Sequence, residues 1–307
     1  MMGIFDSLRW LLRFAPAFFF AALVAVSSAD GEELAVAGGM LDVEWSSPPG
    51  TALDGIAQKW IRNAAHAISS YYGDIPLGHA ALVITLRTGS MARGGKTFGW
   101  NGAVMKIDLG LLATDATLAE DWILPHEMCH LRFPNLNENH HWLEEGLATY
   151  IEPVARARVG FLTPARVWGD MVDGLPQGLP EAGDRGLDNT HTWARTYWGG
   201  ALFCLRADVE IRRRTGNRLG LEHALRAILA AGGMVEHSWE IDRVIAVGDG
   251  ATGTTVLREL YDEMKATPVR VDLPALWKQL GVVKRGDVVT FDDNAPLVNI
   301  RKAITGG

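Results

Sequence analysis

The sequence predicts an α+β fold of two lobes, a small sheet followed by a mainly helical part. Three observations carry that expectation. Strand-like segments cluster before residue 110 and helix-like segments dominate after it. The pentapeptide His126-Glu127-Met128-Cys129-His130 stands at the junction. The run Trp142–Tyr150 (WLEEGLATY) follows it closely. Strands first and helices second is the pattern of α+β proteins, and a cleft between the lobes is the natural place for a site.

At 307 residues the chain has ample length to bury a core. A formal net charge of −7 gives no general basic character, so nucleic acid is not an expected partner. The N-terminus reads as an export signal. Arg9 and Arg13 precede the apolar run Phe14–Val26, and the small residues Ser27-Ser28-Ala29 follow. Thirteen apolar residues fall short of the roughly 20 a membrane span needs, so no stable span is expected once the signal is removed. Cleavage after Ala29 removes two arginines and Asp6 and takes the formal charge to −8. The expected location is therefore periplasmic or secreted, the alternative being an uncleaved N-terminal anchor. The only cysteines are Cys129 and Cys204, either paired or buried as free thiols.

Along the chain, Met40–Trp45 alternates as a strand does. Thr51–Tyr72 repeats Leu53, Ile56, Trp60, Ile61, Ala64 and Ile68 at helical spacing, and Gly73 stands where the helix would stop. Ala80–Arg87 reads as a buried strand and Ala103–Leu109 as a second, joined by a Gly-rich connection from Gly89 to Gly102. That connection, with Gly94-Gly95 inside it, reads as a mobile loop beside the cleft. Helices are expected over the pentapeptide and over Trp142–Glu152, then an irregular excursion from Pro164 to Asp188. A strong helix spans Thr192–Arg214, and shorter ones cover Leu221–Ala231, Trp239–Ala246, Gly253–Met264 and Leu273–Leu280. Val288–Thr290 and Val298–Ile300 suggest a closing hairpin. The expected division is a signal peptide at 1–29, an N-terminal α/β lobe at 30–120, and zinc-site helices with a helical C-terminal lobe at 121–307.

The pentapeptide carries the chemistry. Two histidines four apart on a helix lie on one face, so both imidazoles reach one zinc ion while the adjacent glutamate reaches an attacking water. Catalytic zinc takes three protein ligands and keeps one position open. His126 and His130 supply two. Candidates for the third are His140 or His141, Glu144 and Glu145. The two glutamates diverge by about 100° on a helix, so only one of them can face the metal. A third histidine six residues past His130 would mark the metzincin pattern, but Leu136 stands there.

The combination HEMCH, LEEGLATYIE and ARTYWGGALFCL, spread over Leu124 to Ala231, resembles the gluzincin zinc metallopeptidases. Within them it is most similar to the branch of the glycyl aminopeptidases and aminopeptidase N. The resemblance implies a thermolysin-like two-lobed zincin with one Zn2+ per chain held by His126, His130 and Glu145, and with Glu144 outside the ligand set. It also implies Glu127 as general base and Tyr197, in Tyr197-Trp198-Gly199-Gly200, as the donor to the oxyanion. A peptide or protein substrate follows. Thr149, four residues past Glu145, could steady a zinc-binding histidine by a hydrogen bond. His191, with Asp188 just ahead of it, precedes the Tyr197 segment and either approaches the cleft or reads as a surface histidine.

One departure concerns the substrate. Aminopeptidase N relatives carry a G-x-M-E-N strand whose Glu holds the free amine. The corresponding strand is expected near Asn101–Leu109, where Asp108 is the only acid. Aminopeptidase action is therefore not predicted; an edge strand there would still bind an extended peptide by backbone pairing, as suits an endopeptidase, and the choice between endo- and exopeptidase stays open. Two further readings stand beside the exported peptidase: a zinc hydrolase of a non-peptide bond, and a degenerate binding or scaffold protein that retains the motif.

Overall fold

The structure, a computed structural model, describes residues 32–306, so the expected signal segment lies outside it. Strands β1 (Glu32–Val36) and β2 (Gly39–Trp45) form a hairpin, and helix α1 (Thr51–Tyr71) follows. The chain then returns through β3 (His79–Arg87), β4 (Ala92–Phe98) and β5 (Val104–Gly110). The five strands lie in the order β1-β2-β3-β5-β4. β2, β3 and β5 run parallel, while β1 and β4 close the two edges antiparallel. One face of the sheet (Leu41, Leu82, Ile84, Met105, Ile107) is fully buried with Ala57, Ile61, Ala65 and Ile68 of α1 in one apolar core. The other face alternates polar and half-buried residues, which is the period of two expected of a one-sided sheet.

After the short helix α2 (Asp115–Ala119) come α3 (Ile123–His130) and α4 (His141–Arg158). The Asp121 carboxylate starts α3 by accepting from the Ile123 and Leu124 amides, and Trp60 of α1 donates to the same carboxylate. α3 is buried against α1, α4, β4 and β5, so the pentapeptide helix sits where sheet and helices meet. Beyond it lie α5 (Pro164–Gly174), α6 (Gly200–Arg214), α7 (Leu221–Ala230), α8 (Ile241–Thr252), α9 (Val256–Met264) and α10 (Leu273–Leu280). The hairpin β6 (Val282–Arg285) and β7 (Val288–Phe291) and the helix α11 (Val298–Thr305) end the described chain. A small sheet lobe thus precedes a helical lobe, as the order of segments predicts. Among the described residues no helix is long and apolar enough to cross a membrane.

Three expectations are corrected. The Gly-rich connection contains a strand, β4, which pairs with β5 through a bulge between Arg93 and Gly95 with Gly94 at φ +54°. Glycines lower strand propensity but are accommodated at a bulge, where pairing geometry rather than side chains decides. The stretch after residue 164 is not irregular throughout. Thr163 caps α5 and Pro164 occupies its first turn, where a missing N–H costs nothing. Val298–Ile300 begins α11 rather than pairing with β7, whose partner is β6.

Candidate metal centre

His126 and His130 lie four apart on α3, and their rings stand 5.0 Å centre to centre. Glu145 enters from α4. Its Oε2 is 3.1 Å from His126 Nε2 and 3.7 Å from His130 Nε2, and one donor atom from each of the three residues falls within 4.8 Å of the others. With metal–ligand bonds of about 2.1 Å, tetrahedral donors stand about 3.4 Å apart, so the spacing fits a zinc ion. His126 and Glu145 are buried. Burial lowers His130 to about 4, with His126 adding to the effect, and this keeps the imidazole neutral with a lone pair free to bind. Burial opposes ionisation of Glu145, yet hydrogen bonds with His126 and His141 hold its carboxyl well below the usual range.

The crossing of α4 on the start of α6 fixes where Glu145 stands. A Cβ at Gly146 would lie 2.8 Å from the Ala201 amide nitrogen and overlap Gly200, so the two backbones touch at glycine. That contact brings up the turn Arg195–Gly199, a single π-helical turn ahead of α6, and Tyr197 with it. The Tyr197 ring stacks on His126 at 6.0 Å and 15°. Burial, then the charge of Glu145, raises its hydroxyl, so it remains a protonated donor.

Glu144 takes a different path. It accepts from the Leu136 amide at 3.0 Å and meets His141 Nδ1 at 2.9 Å. His141, bound by both Glu144 and Glu145, is raised to about 10. His140 faces Tyr261 and Asp188 instead of the histidine pair. Of the four candidates for a third donor, Glu145 alone joins the pair. The Thr149 hydroxyl makes no hydrogen bond among the described residues. Its Oγ1 is buried without a partner, because its place on α4 turns it toward a groove lined by tryptophans. Asp188, unlike the exposed His191, is engaged inside, accepting from Trp142 and Tyr261 at 2.8 Å each. Cys129 and Cys204 are buried free thiols.

The strand beside the site is β4, and this corrects the expectation for Asn101–Leu109. β5 lies inside the sheet between β3 and β4, so it offers no free edge. β4 is the edge strand, and its residues Ala92–Phe98 include no acid. It touches the site at two places. The Thr97 hydroxyl lies 2.6 Å from Glu127 Oε2, to which it donates, and 3.0 Å from the main-chain carbonyl of Glu127. At Gly95 any Cβ would overlap the Glu127 carboxylate and sit 2.6 Å from Glu127 Cγ. Burial raises the Glu127 pKa and the Thr97 hydrogen bond moderates the rise. Sequence reasoning missed both residues, and the glycine pair itself was the available signal.

No family model and no curated protein matches the chain. Solved structures do. An aminopeptidase N family protein from Idiomarina loihiensis superposes with a TM-score of 0.62 at 15% identity, covering 82% of this chain and 49% of that one. An M1 zinc metallopeptidase from Deinococcus radiodurans gives 0.52 at 14% identity, over 80% of this chain and 52% of that one. The chain shares its fold with aminopeptidase N family proteins. It spans about half the length of those two proteins.

Around the cluster the protein leaves a polar cavity of about 350 Å³, bordered by Gly95, Thr97, Glu127, His130, Glu145 and Tyr197. Two of the three candidate donors, His130 and Glu145, thus share one cavity with a buried carboxylate and a phenol. Such an arrangement can bind a divalent ion, accept a proton and donate a hydrogen bond within one cleft.

Proposed function

We propose that the protein is an exported zinc metallopeptidase that hydrolyses internal peptide bonds, on a thermolysin-like two-lobed zincin fold. The observation that carries the reading is the convergence of His126, His130 and Glu145, with Glu127 and Tyr197 on the same cavity. The aminopeptidase N family protein and the M1 zinc metallopeptidase of like fold lend it support. Zinc held by His126, His130 and Glu145 would supply Lewis acidity and ease the ionisation of water.

The remaining chemistry belongs to the chain. Glu127 accepts the proton of the attacking water from its place on the cavity wall. Thr97 holds that carboxylate in one orientation. Tyr197 donates its hydroxyl proton as a hydrogen bond to the oxygen of the scissile carbonyl as charge develops there. The exposed edge of β4 aligns an extended peptide by main-chain hydrogen bonds. With no carboxylate on β4 to hold a free amine, internal bonds are cut in preference to N-terminal residues.

Glu127→Gln tests the mechanism. Activity on casein or a mixed peptide panel is expected to fall by about 10²- to 10⁴-fold, the range for loss of a general base. Zinc content, about one ion per chain by metal analysis, should be unchanged. Unaltered activity in the variant overturns the mechanism, and a native chain without zinc overturns the peptidase.

A further inference from the structure

The cluster borders a second cavity whose chemistry differs from the first. This groove, about 430 Å³, opens beside His126 and Tyr197 and receives no residue from β4. Trp122, Trp193 and Trp198 line it, with Pro153 and Leu162. Trp122 is 53% and Trp193 61% exposed, a large apolar area left in water beside a candidate site. The rings are arranged in series. Trp193 stacks on Tyr197 at 5.5 Å and 25°, Tyr197 stacks on His126, and Trp122 meets His126 edge-on at 5.5 Å and 87°. One aromatic wall therefore runs from the groove to the metal donors.

Most of the charge around the groove is taken up in ion pairs. Arg166 pairs with Glu120 and Asp170, Arg156 with Glu152, and Lys284 with Asp173. Three cations thus face four carboxylates, and the single net negative charge left at the groove disfavours an acidic side chain. What the groove offers is ring faces and apolar walls, to which another aromatic ring adds by stacking or edge contact.

We propose that this groove holds a large aromatic side chain of the substrate residue next to the scissile bond, making the protein selective for cleavage beside Phe, Tyr or Trp. The inference rests on the peptidase reading for the identity of the occupant. Its own support is the continuity of the groove with His126 and Tyr197 and the three tryptophans that line it. Trp193 is the specificity-determining residue, since it presents the most exposed face in the groove.

The experiment uses quenched peptides of one sequence, varied among Phe, Leu, Ala and Asp at the residue on either side of the cut. The expected ratio of kcat/KM for Phe over Ala is about thirtyfold at one of those two positions, in keeping with full burial of a ring. Trp193→Ala should reduce that ratio about tenfold, and Trp193→Phe should preserve most of it. A second measurement requires no turnover. N-acetyl-phenylalaninamide is titrated into the Glu127→Gln chain and followed by saturation-transfer NMR, with N-acetyl-alaninamide as comparison. Binding of the phenylalanine amide alone, lost in a Glu127→Gln, Trp193→Ala chain, supports the pocket. Active protein with a Phe/Ala ratio near one, or with a preference for Asp, overturns the pocket and leaves the peptidase standing. Binding through Trp193 without cleavage of any peptide retires the peptidase and supports the groove as an aromatic site. Neither cleavage nor binding overturns both.

Discussion

Two walls meet at Glu127, and they are held by different physics. The helical wall consists of α3 and α4, whose donors are set by a four-residue step on one helix and by a backbone contact at Gly146 and Gly200. It lies inside the apolar core, with Met128, Leu147 and Ala148 buried around it. The strand wall is β4, an edge with one neighbouring strand, a bulge and two glycines. Buried packing tolerates few alternatives, whereas an edge can shift locally without unfolding the rest. In the proposed mechanism the helical wall therefore decides where the metal donors stand, and the strand wall decides where the proton acceptor points. Changes in the first should disturb stability, metal and activity together, and changes in the second activity alone.

The largest effect is expected from Gly146→Ala. The added methyl meets the Ala201 amide at 2.8 Å and overlaps Gly200, so α4 must move away from the turn that carries Tyr197. Overpacking of this kind costs about 3 kcal/mol, which lowers the melting temperature of a domain this size by roughly 6–12 °C. Zinc content should fall as well, because Glu145 precedes the displaced residue. Thermal melts and metal analysis on the same preparation check both. A variant with native stability and full zinc would show that the crossing does not set the site.

The same contrast explains what could be read from the sequence. What was legible on the helical wall and on the helix behind it depends on short separations: His126 to His130, Glu145 before Gly146, and the apolar repeat of Thr51–Tyr72 that α1 follows to within one residue. Local spacing is visible in one sequence. Even there, spacing left Glu144 and Glu145 equivalent, and only the resemblance favoured Glu145. The Leu136 amide and His141 are what draw Glu144 aside, and neither contact has a sequence signature. The strand wall depends on pairing between β4 and β5, and its Gly94-Gly95 pair resembles a loop when taken alone. α5 was legible in principle from Thr163 and Pro164, a cap and a first-turn proline hidden by the glycines after them. Trp122 and Trp193 stand 71 positions apart, so the groove they share has no local pattern.

Gly95→Ala should separate the two walls. The new methyl takes space now used by Glu127 Cγ and the carboxylate, and Ile123 Cγ2 at 2.7 Å blocks the other side. Glu127 must then turn, while His126, His130 and Glu145 keep their places. A displacement on the order of 1 Å at a reacting group costs about 10²-fold in rate. The expected outcome is that loss in kcat/KM with native zinc content and a melting temperature within a few degrees of native. Loss of zinc in this variant would mean that the walls are coupled rather than separable.

Thr97→Val is the mildest test and the most specific. It keeps the β-branched shape that suits a strand and removes only the hydroxyl that donates to Glu127 at 2.6 Å. A hydrogen bond to a charged group contributes about 1.5–3 kcal/mol, and part of this is recovered when water replaces it in an open cavity. About tenfold loss of kcat is therefore expected, with KM and zinc content little changed, since Val touches neither the metal donors nor the aromatic groove. Thr97→Ser restores the donor on a smaller side chain and should recover most of the rate. Equal losses for Val and Ser would mean that the methyl packing of Thr97 matters and its hydroxyl does not, and the strand wall would then act on Glu127 by shape alone.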